Sequence, residues 1–257
     1  MEEPLICLER REAIALITLN RASTQNAIDA EMIAELARAF AELRDEAGLR
    51  VVILAGKGEA FSVGVEAEAW APEQGKSFAH AGQTLTDLIE NLGKPVIAAI
   101  HGPAHGYGCE LALACAWRIA SPEATFAPSE LSSGQLPGLG GAMRLSRIIG
   151  RARALEMILT GESLSAEEAR RIGLVNRVAG GQGELLQVCE ELARQISRNA
   201  PLTIKYALEA VNHGGELPLI NGLQLESALF GLCFATEDVL EGTRAFLEKR
   251  QPIFKGR

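Results

Sequence analysis

At 257 residues, 47% hydrophobic and 23% charged, the chain is long enough to bury a substantial core. Its formal charge of −8 argues against nucleic acid as a main partner, because neutralising phosphates calls for a basic face. Five cysteines without C-x-x-C spacing predict small buried thiols in a reducing compartment, not a disulfide framework or a zinc site.

The N-terminal "MEEPLICLER" carries acids where a secretory leader needs bases. No apolar run is long enough to span a bilayer, so a cytoplasmic protein with no membrane partner is expected. "LICLE" and "AIALITL" read as two strands of a hairpin joined by the charged "RREA". The polar loop "NRASTQNAID" follows, ending at Asp29 as a helix N-cap. Apolar residues at 33, 36, 40 and 43 have helical spacing, with Gly48 as the expected stop. "RVVILAG" reads as a buried strand, residues 77–92 as a helix, "KPVIAAIHG" as a strand, about 108–116 as a helix and "WRIAS" as a strand. Such alternation implies parallel crossover units. Beyond residue 140 the β signal nearly vanishes, and seven segments read as helices: 141–150, 151–160, 165–172, 184–199, 201–213, 217–235 and 237–249. The chain therefore divides into an α/β core over 1–200 and a helical appendage over 201–257.

Few residues suggest chemistry. His101 and His105 are four apart, but Gly102-Pro103 between them prevents the shared helical face that a metal pair wants, and no metal is expected. "AFSVG" at 60–64 misses the first glycine of a nucleophile elbow and has no convincing His partner. "GKGEAFSVG" lacks the G-K-[ST] ending of a phosphate loop. The carboxylates say more. Glu110 follows the "GYG" turn at a helix start, where unpaired N–H groups and positive dipole density gather. Glu130 lies in the Pro-, Gly- and Ser-rich "FAPSELSSGQLPGLGG". Taken singly, each has a bland reading, a dipole-compensating glutamate and a solvated loop acid. Together they would form an acid/base pair if the fold makes them meet.

Several segments, in order, resemble the crotonase (enoyl-CoA hydratase/isomerase) superfamily along nearly the whole chain: "NRASTQNAID", "GKGEAFSVGVE", "KPVIAAIHGPAHGYGCELALACAWRIAS", the stretch from "FAPSELSSGQLPGLGG" to "GLVNRV", and "LFGLCFATEDVLEGTRAFLEKRQPIF". The resemblance implies an α/β spiral of β-β-α turns with an all-helical C-terminal trimerisation region, packed as a homotrimer or dimer of trimers. It implies an acyl-CoA thioester as substrate, with coenzyme A part of the substrate and no separate cofactor. The backbone amides of Val65 and Tyr107 match the family's oxyanion hole, and Glu110 and Glu130 match its hydratase acids. Ser23, Thr24, Gln25, Val63, Glu66, Phe246 and Lys249 match CoA-binding positions, and Trp70, Leu136 and Gly138 the acyl pocket. Both acids together favour reversible hydration of a 2-enoyl-CoA. The alternatives are an isomerase, a specialised dehydratase or hydrolase, and a silent acyl-CoA-binding subunit.

The chain also departs from the family pattern. Tyr107 stands in place of a glycine, Glu66 and Ala116 in place of aspartates, His101 in place of an asparagine, Ala22 in place of a proline, and Ser23 at a lysine-like position. Tyrosine tolerates a left-handed backbone poorly. If its ring enters the cavity, it narrows the acyl pocket or gives it a polar end.

Overall fold

The hairpin, the crossovers and the helical C-terminus all appear in the structure, a computed structural model that describes residues 3–65 and 75–257. In chain order its strands are β1 (Ile6–Arg11), β2 (Ile14–Leu19), β3 (Val51–Gly56), β4 (Val96–Ile100), β5 (Pro103–His105), β6 (Trp117–Ala120), β7 (Thr125–Ala127), β8 (Leu164–Ser165) and β9 (Arg177–Val178). Its helices are α1 (Ala30–Asp45), α2 (Gly75–Glu90), α3 (Tyr107–Leu113), α4 (Gly141–Ile149), α5 (Arg151–Thr160), α6 (Ala166–Arg171), α7 (Gln182–Ser197), α8 (Pro201–Gly214), α9 (Leu219–Cys233) and α10 (Glu237–Leu247).

The main sheet runs β1-β2-β3-β4-β6-β9, antiparallel only between β1 and β2. Its central strands are apolar without a break because both faces are covered. Alternate residues of β2, β3 and β4 sort accordingly. Ile14, Leu16, Val51, Ile53 and Ile97 pack with Leu185, Cys189 and Ala193 of α7. Ala15, Ile17, Val52, Leu54 and Ala98 face the larger cluster, which holds Ile33, Leu36, Phe40 and Leu43 of α1, the four residues whose spacing predicts that helix. Asp29 caps α1 as expected, accepting from the Met32 amide at 2.8 Å. The helix stops at Asp45, three residues before Gly48, where Glu46 turns extended and its N–H bonds back to Leu43.

A second sheet, β5-β7-β8, has no counterpart among the expected elements. Its members have two or three residues, too short for a periodicity to register. Ser62 joins its edge through a parallel bridge to Ala104. Successive turns of chain thus give one strand to each sheet, β4 then β5 and β6 then β7, which is the β-β-α spiral. The two-residue strands β8 and β9 lie in the stretch beyond residue 140 where the β signal nearly vanishes.

Helices α8 and α9 pack so closely that a Cβ added to Gly222 would lie 2.8 Å from the Gly214 carbonyl. Asn212 ties α8 to the core by donating to the Glu90 carbonyl at 3.0 Å. Beyond this, α9, α10 and the turn between them leave many large apolar side chains in the open, Leu219, Ile220, Phe230, Phe234, Leu240 and Phe246 among them. Among the described residues no single helix is long and apolar enough to cross a membrane. All five cysteines are free, and Cys109, Cys115 and Cys189 are buried.

Candidate active site

The site forms where the early loop, the segment after β3 and the β5–α3 turn meet. Asn26 holds the first two together. It is fully buried, and its side-chain amide donates to the carbonyls of Lys57 and Ala60 at 2.9 and 2.8 Å. Val63 N–H donates to Gln25 O at 3.2 Å, which adds a second tie. The third segment is joined by the Ser62 N–H to Pro103 O and His105 N–H to Ser62 O bonds. Ser62 is therefore a buried structural residue whose hydroxyl accepts from Gly64 N–H at 3.2 Å, not an exposed nucleophile.

Gly64 and Gly106 shape the turn. Gly64 has φ +97°, and a Cβ on it would lie 3.2 Å from the Tyr107 nitrogen. The backbone after β3 thus runs directly against the start of α3. Gly106, with φ +50° and ψ −127°, carries the unusual conformation that launches the helix. Tyr107 itself is the first helical residue and is not among the positive-φ positions. The concern that tyrosine must adopt left-handed backbone is therefore misplaced, because its neighbour absorbs the strain. Val65 N–H donates to no acceptor among the described residues.

Glu110 is 1% exposed, one turn into α3. Its carboxylate does not fold back onto its own helix but crosses to the loop before α4. There it accepts from the amides of Gly138 at 3.1 Å, Leu139 at 2.9 Å and Gly141. Gly141 has to be bare, since a Cβ there would lie 2.5 Å from the Glu110 carboxylate. Glu130 is 5% exposed, at the head of a short 3-10 helix, Glu130–Ser133. The reading of a solvated loop acid is thus overturned. Neither Glu130 oxygen has a hydrogen-bond partner among the described residues.

Burial raises both carboxyls above the ordinary carboxylate range, and for Glu110 the Glu130 charge adds to it. The two groups titrate as a unit without a well-formed bond between them. The amides of Gly141 and Leu139 offset part of the rise on Glu110, and the contact with Glu110 offsets part of the rise on Glu130.

The other expected residues are placed less centrally. Ser23 and Thr24 sit on a one-turn 3-10 helix, Ala22–Thr24, and Gln25 follows in left-handed conformation. Ser23 lines a groove of about 690 Å³ together with Asn20, Arg21, Glu31, Glu35 and Lys57. Gly138 is half-buried beside Tyr107, whereas Leu136 is 69% exposed. Phe246 is 82% exposed, and Lys249 stands beyond α10 at φ +54°. Neither makes a hydrogen bond or ion pair with the other site residues in the single chain, among the described residues. Glu66 and Trp70 lie outside the described residues. His101 and His105 point to different partners, the Gly58 carbonyl and the Thr125 hydroxyl, and among the described residues no group of three His, Cys, Asp or Glu could hold a metal ion. Sequence reading missed Asn26 and the amides of Leu139 and Gly141. Nothing local marks those amides, whose role is set by a residue about thirty positions away.

A parallel sheet with a second sheet alongside, crossed by a spiral chain and closed by C-terminal helices, is the crotonase fold. The paired buried acids beside a glycine turn fit the same class. The family profile for enoyl-CoA hydratase/isomerase matches residues 9–257, and the chain belongs to that family. It is 38% identical over 255 residues to the short-chain-enoyl-CoA hydratase of Clostridium acetobutylicum, covering 98% of this chain and 97% of the relative. To the crotonyl-CoA hydratase of Syntrophomonas wolfei it is 36% identical over 253 residues, covering 97% of each. The crystal structure of an enoyl-CoA hydratase from Bacillus anthracis superposes with a TM-score of 0.96 at 37% identity, over 99% of this chain and 100% of the other.

Proposed function

We propose that the protein is a hydratase-type lyase that adds water reversibly, in syn fashion, across the double bond of a 2-enoyl-CoA to give the 3-hydroxyacyl-CoA. The observation that carries this reading is the pair of buried acids, one cradled by three amides and the other without a hydrogen-bond partner among the described residues. A partnerless buried carboxyl is costly unless a substrate or water uses it.

In this reading the thioester oxygen sits between the amides of Val65 and Tyr107. The Glu110 carboxylate takes a proton from water as its oxygen bonds to C3. The C2–C3 π electrons move toward the carbonyl, and the two fixed amides stabilise the enolate charge without reorganising. Glu130 then delivers its proton to C2. Across the cycle one proton leaves Glu130 and one arrives at Glu110, and the pair redistributes them. The chemistry is acid–base throughout and calls for no metal or separate cofactor. Ser23 lines the groove assigned to the CoA moiety, where Lys57 and Arg21 are the basic side chains beside Asp29, Glu31 and Glu35; Thr24, Gln25 and Val63 are assigned to it by the family match. Glu66, Phe246 and Lys249 are assigned to the same moiety, and Trp70, Leu136 and Gly138 to the acyl chain, on the family match alone.

The assembly is a homotrimer or dimer of trimers in this reading, with residues 201–257 supplying contacts. The apolar side chains left open on α9 and α10 support it, being far more than a monomer commonly exposes. Phe246 and Lys249 would then complete a neighbouring subunit's site. Five free thiols suit a cytoplasmic setting.

The test is incubation with crotonyl-CoA, followed by loss of the conjugated thioester absorbance and by product analysis. Water addition is the expected result, and an isomer without added water would favour the isomerase alternative. E110Q or E130Q is expected to lower turnover by about 10³-fold while butyryl-CoA still binds. Full activity in either variant would overturn the assignment.

A further inference from the structure

Tyr107 has a side chain to which the mechanism assigns no task. Of the three residues in the Gly106–Tyr107–Gly108 turn, it occupies the position with room for one. A Cβ at Gly108 would collide with the Ser62 carbonyl at 2.2 Å, and Gly106 has positive φ. The Tyr107 ring is 3% exposed. It packs on Phe78 of α2 with centroids 5.4 Å apart. Its hydroxyl reaches the loop before α4, so that a Cβ added to Gly138 would lie 3.2 Å from that oxygen and 3.7 Å from Ala79 Cβ. The ring therefore spans the space between α2 and the loop whose amides hold Glu110.

This placement bears on the acyl chain. The Tyr107 amide and ring share one Cα, so a thioester oxygen bound at the amide lies within a side-chain length of the ring. In the hydratase reading C2 and C3 lie against the two carboxyls, which directs the carbons beyond C3 toward the space between α2 and the 136–141 loop where the Tyr107 ring lies. A glycine at 107 would leave that gap open, and tyrosine fills it. Phe78 pins the ring, since an aromatic pair at this spacing is a favourable contact. We infer that the Tyr107 ring is the end wall of the acyl pocket and makes this chain selective for short-chain enoyl thioesters, an inference that rests on the hydratase reading. Burial and the neighbouring Glu110 and Glu130 charges push the phenol well above its ordinary range, so the wall stays uncharged.

The experiment measures chain-length dependence by binding as well as by turnover. Affinities for butyryl-CoA and decanoyl-CoA are read by calorimetry, and kcat/KM for crotonyl-CoA and 2-decenoyl-CoA by absorbance, in the wild type, Y107F and Y107A. The wild type and Y107F are expected to prefer the short chain by about tenfold or more. In Y107A the preference should shrink by about tenfold. F78A, which leaves the turn intact, should relax it in the same direction and serves if Y107A does not fold. Equal affinity for the two chains in the wild type, or an unchanged ratio in folded Y107A and F78A, would overturn the inference. A chain-length effect on binding with no hydration of any enoyl-CoA would instead strike the reaction assigned above and leave the wall in place.

Discussion

The core around the main sheet and the helices beyond residue 200 treat apolar side chains in opposite ways. In the core, Leu36, Phe40, Leu54 and Phe61 are all but inaccessible, and the polar residues among them, Asn26, Ser62 and Arg118, have partners. Among the described residues Glu130 is the exception, and it lies at the proposed reaction centre. In α9 and α10, by contrast, Phe230 and Leu240 stand open although their segments are well-formed helices. Local helix formation and burial are separate requirements. The core satisfies both within one chain, while the C-terminal helices satisfy the first and leave many of their large apolar side chains exposed. The same contrast separates two kinds of unsatisfied group, a buried carboxyl and an exposed apolar face.

The largest effect is expected at the turn that builds the site. Gly64→Ala would place a methyl group 3.2 Å from the Tyr107 nitrogen on a backbone at φ +97°, and so disturb both proposed oxyanion donors. A loss of about 10²-fold in kcat is expected, with assembly unaffected, as read by steady-state kinetics beside sedimentation. Wild-type rates would mean the two amides do not act on the thioester. The converse experiment is Phe230→Glu, alone and with Leu219→Glu. Removing a large apolar side chain from an interface forfeits about 1.5–3 kcal/mol each, so association should weaken by about tenfold or more per substitution. Light scattering should show smaller particles while far-ultraviolet circular dichroism stays the same. An unaltered particle size would show that this face is not an interface.

The smallest effect concerns pH. Both glutamates have raised folded-state pKa values, so between the ordinary carboxyl range and those values the folded protein holds protons that the unfolded chain has released. Their contribution to stability therefore falls as pH rises through that window, by about 1.4 kcal/mol for every tenfold by which folding tightens proton binding. E130Q removes one ionisation, so its Tm relative to wild type should climb from pH 5 to pH 8. A difference that stays flat with pH would mean the carboxyls are not held in their protonated direction.

Much of this architecture is legible in the sequence because it rests on local periodicity. The apolar positions 33, 36, 40 and 43 define one face of α1, Asp29 has the geometry of its cap, and the unbroken apolar runs of β3 and β4 announce strands covered on both sides. The family match extends this to the order of the elements and to the two acids. What the sequence could not determine depends on contacts between distant residues. Glu130 looks solvated by its neighbours in the chain, yet the fold buries it. Glu110 looks like a dipole-compensating glutamate, yet its partners are amides 28 to 31 positions away. The short strands β5, β7 and β8 exist because they pair with one another, not because two or three residues prefer extension.

Tyr107 shows the division within one residue. Its helical start follows from the glycine before it, a local matter, but where its ring goes was settled by the space between α2 and the Glu110 loop. Backbone preference acts over a few neighbouring residues and can be read along the chain. Desolvation, electrostatic coupling and pocket shape act through space, and only the folded arrangement brings their partners together.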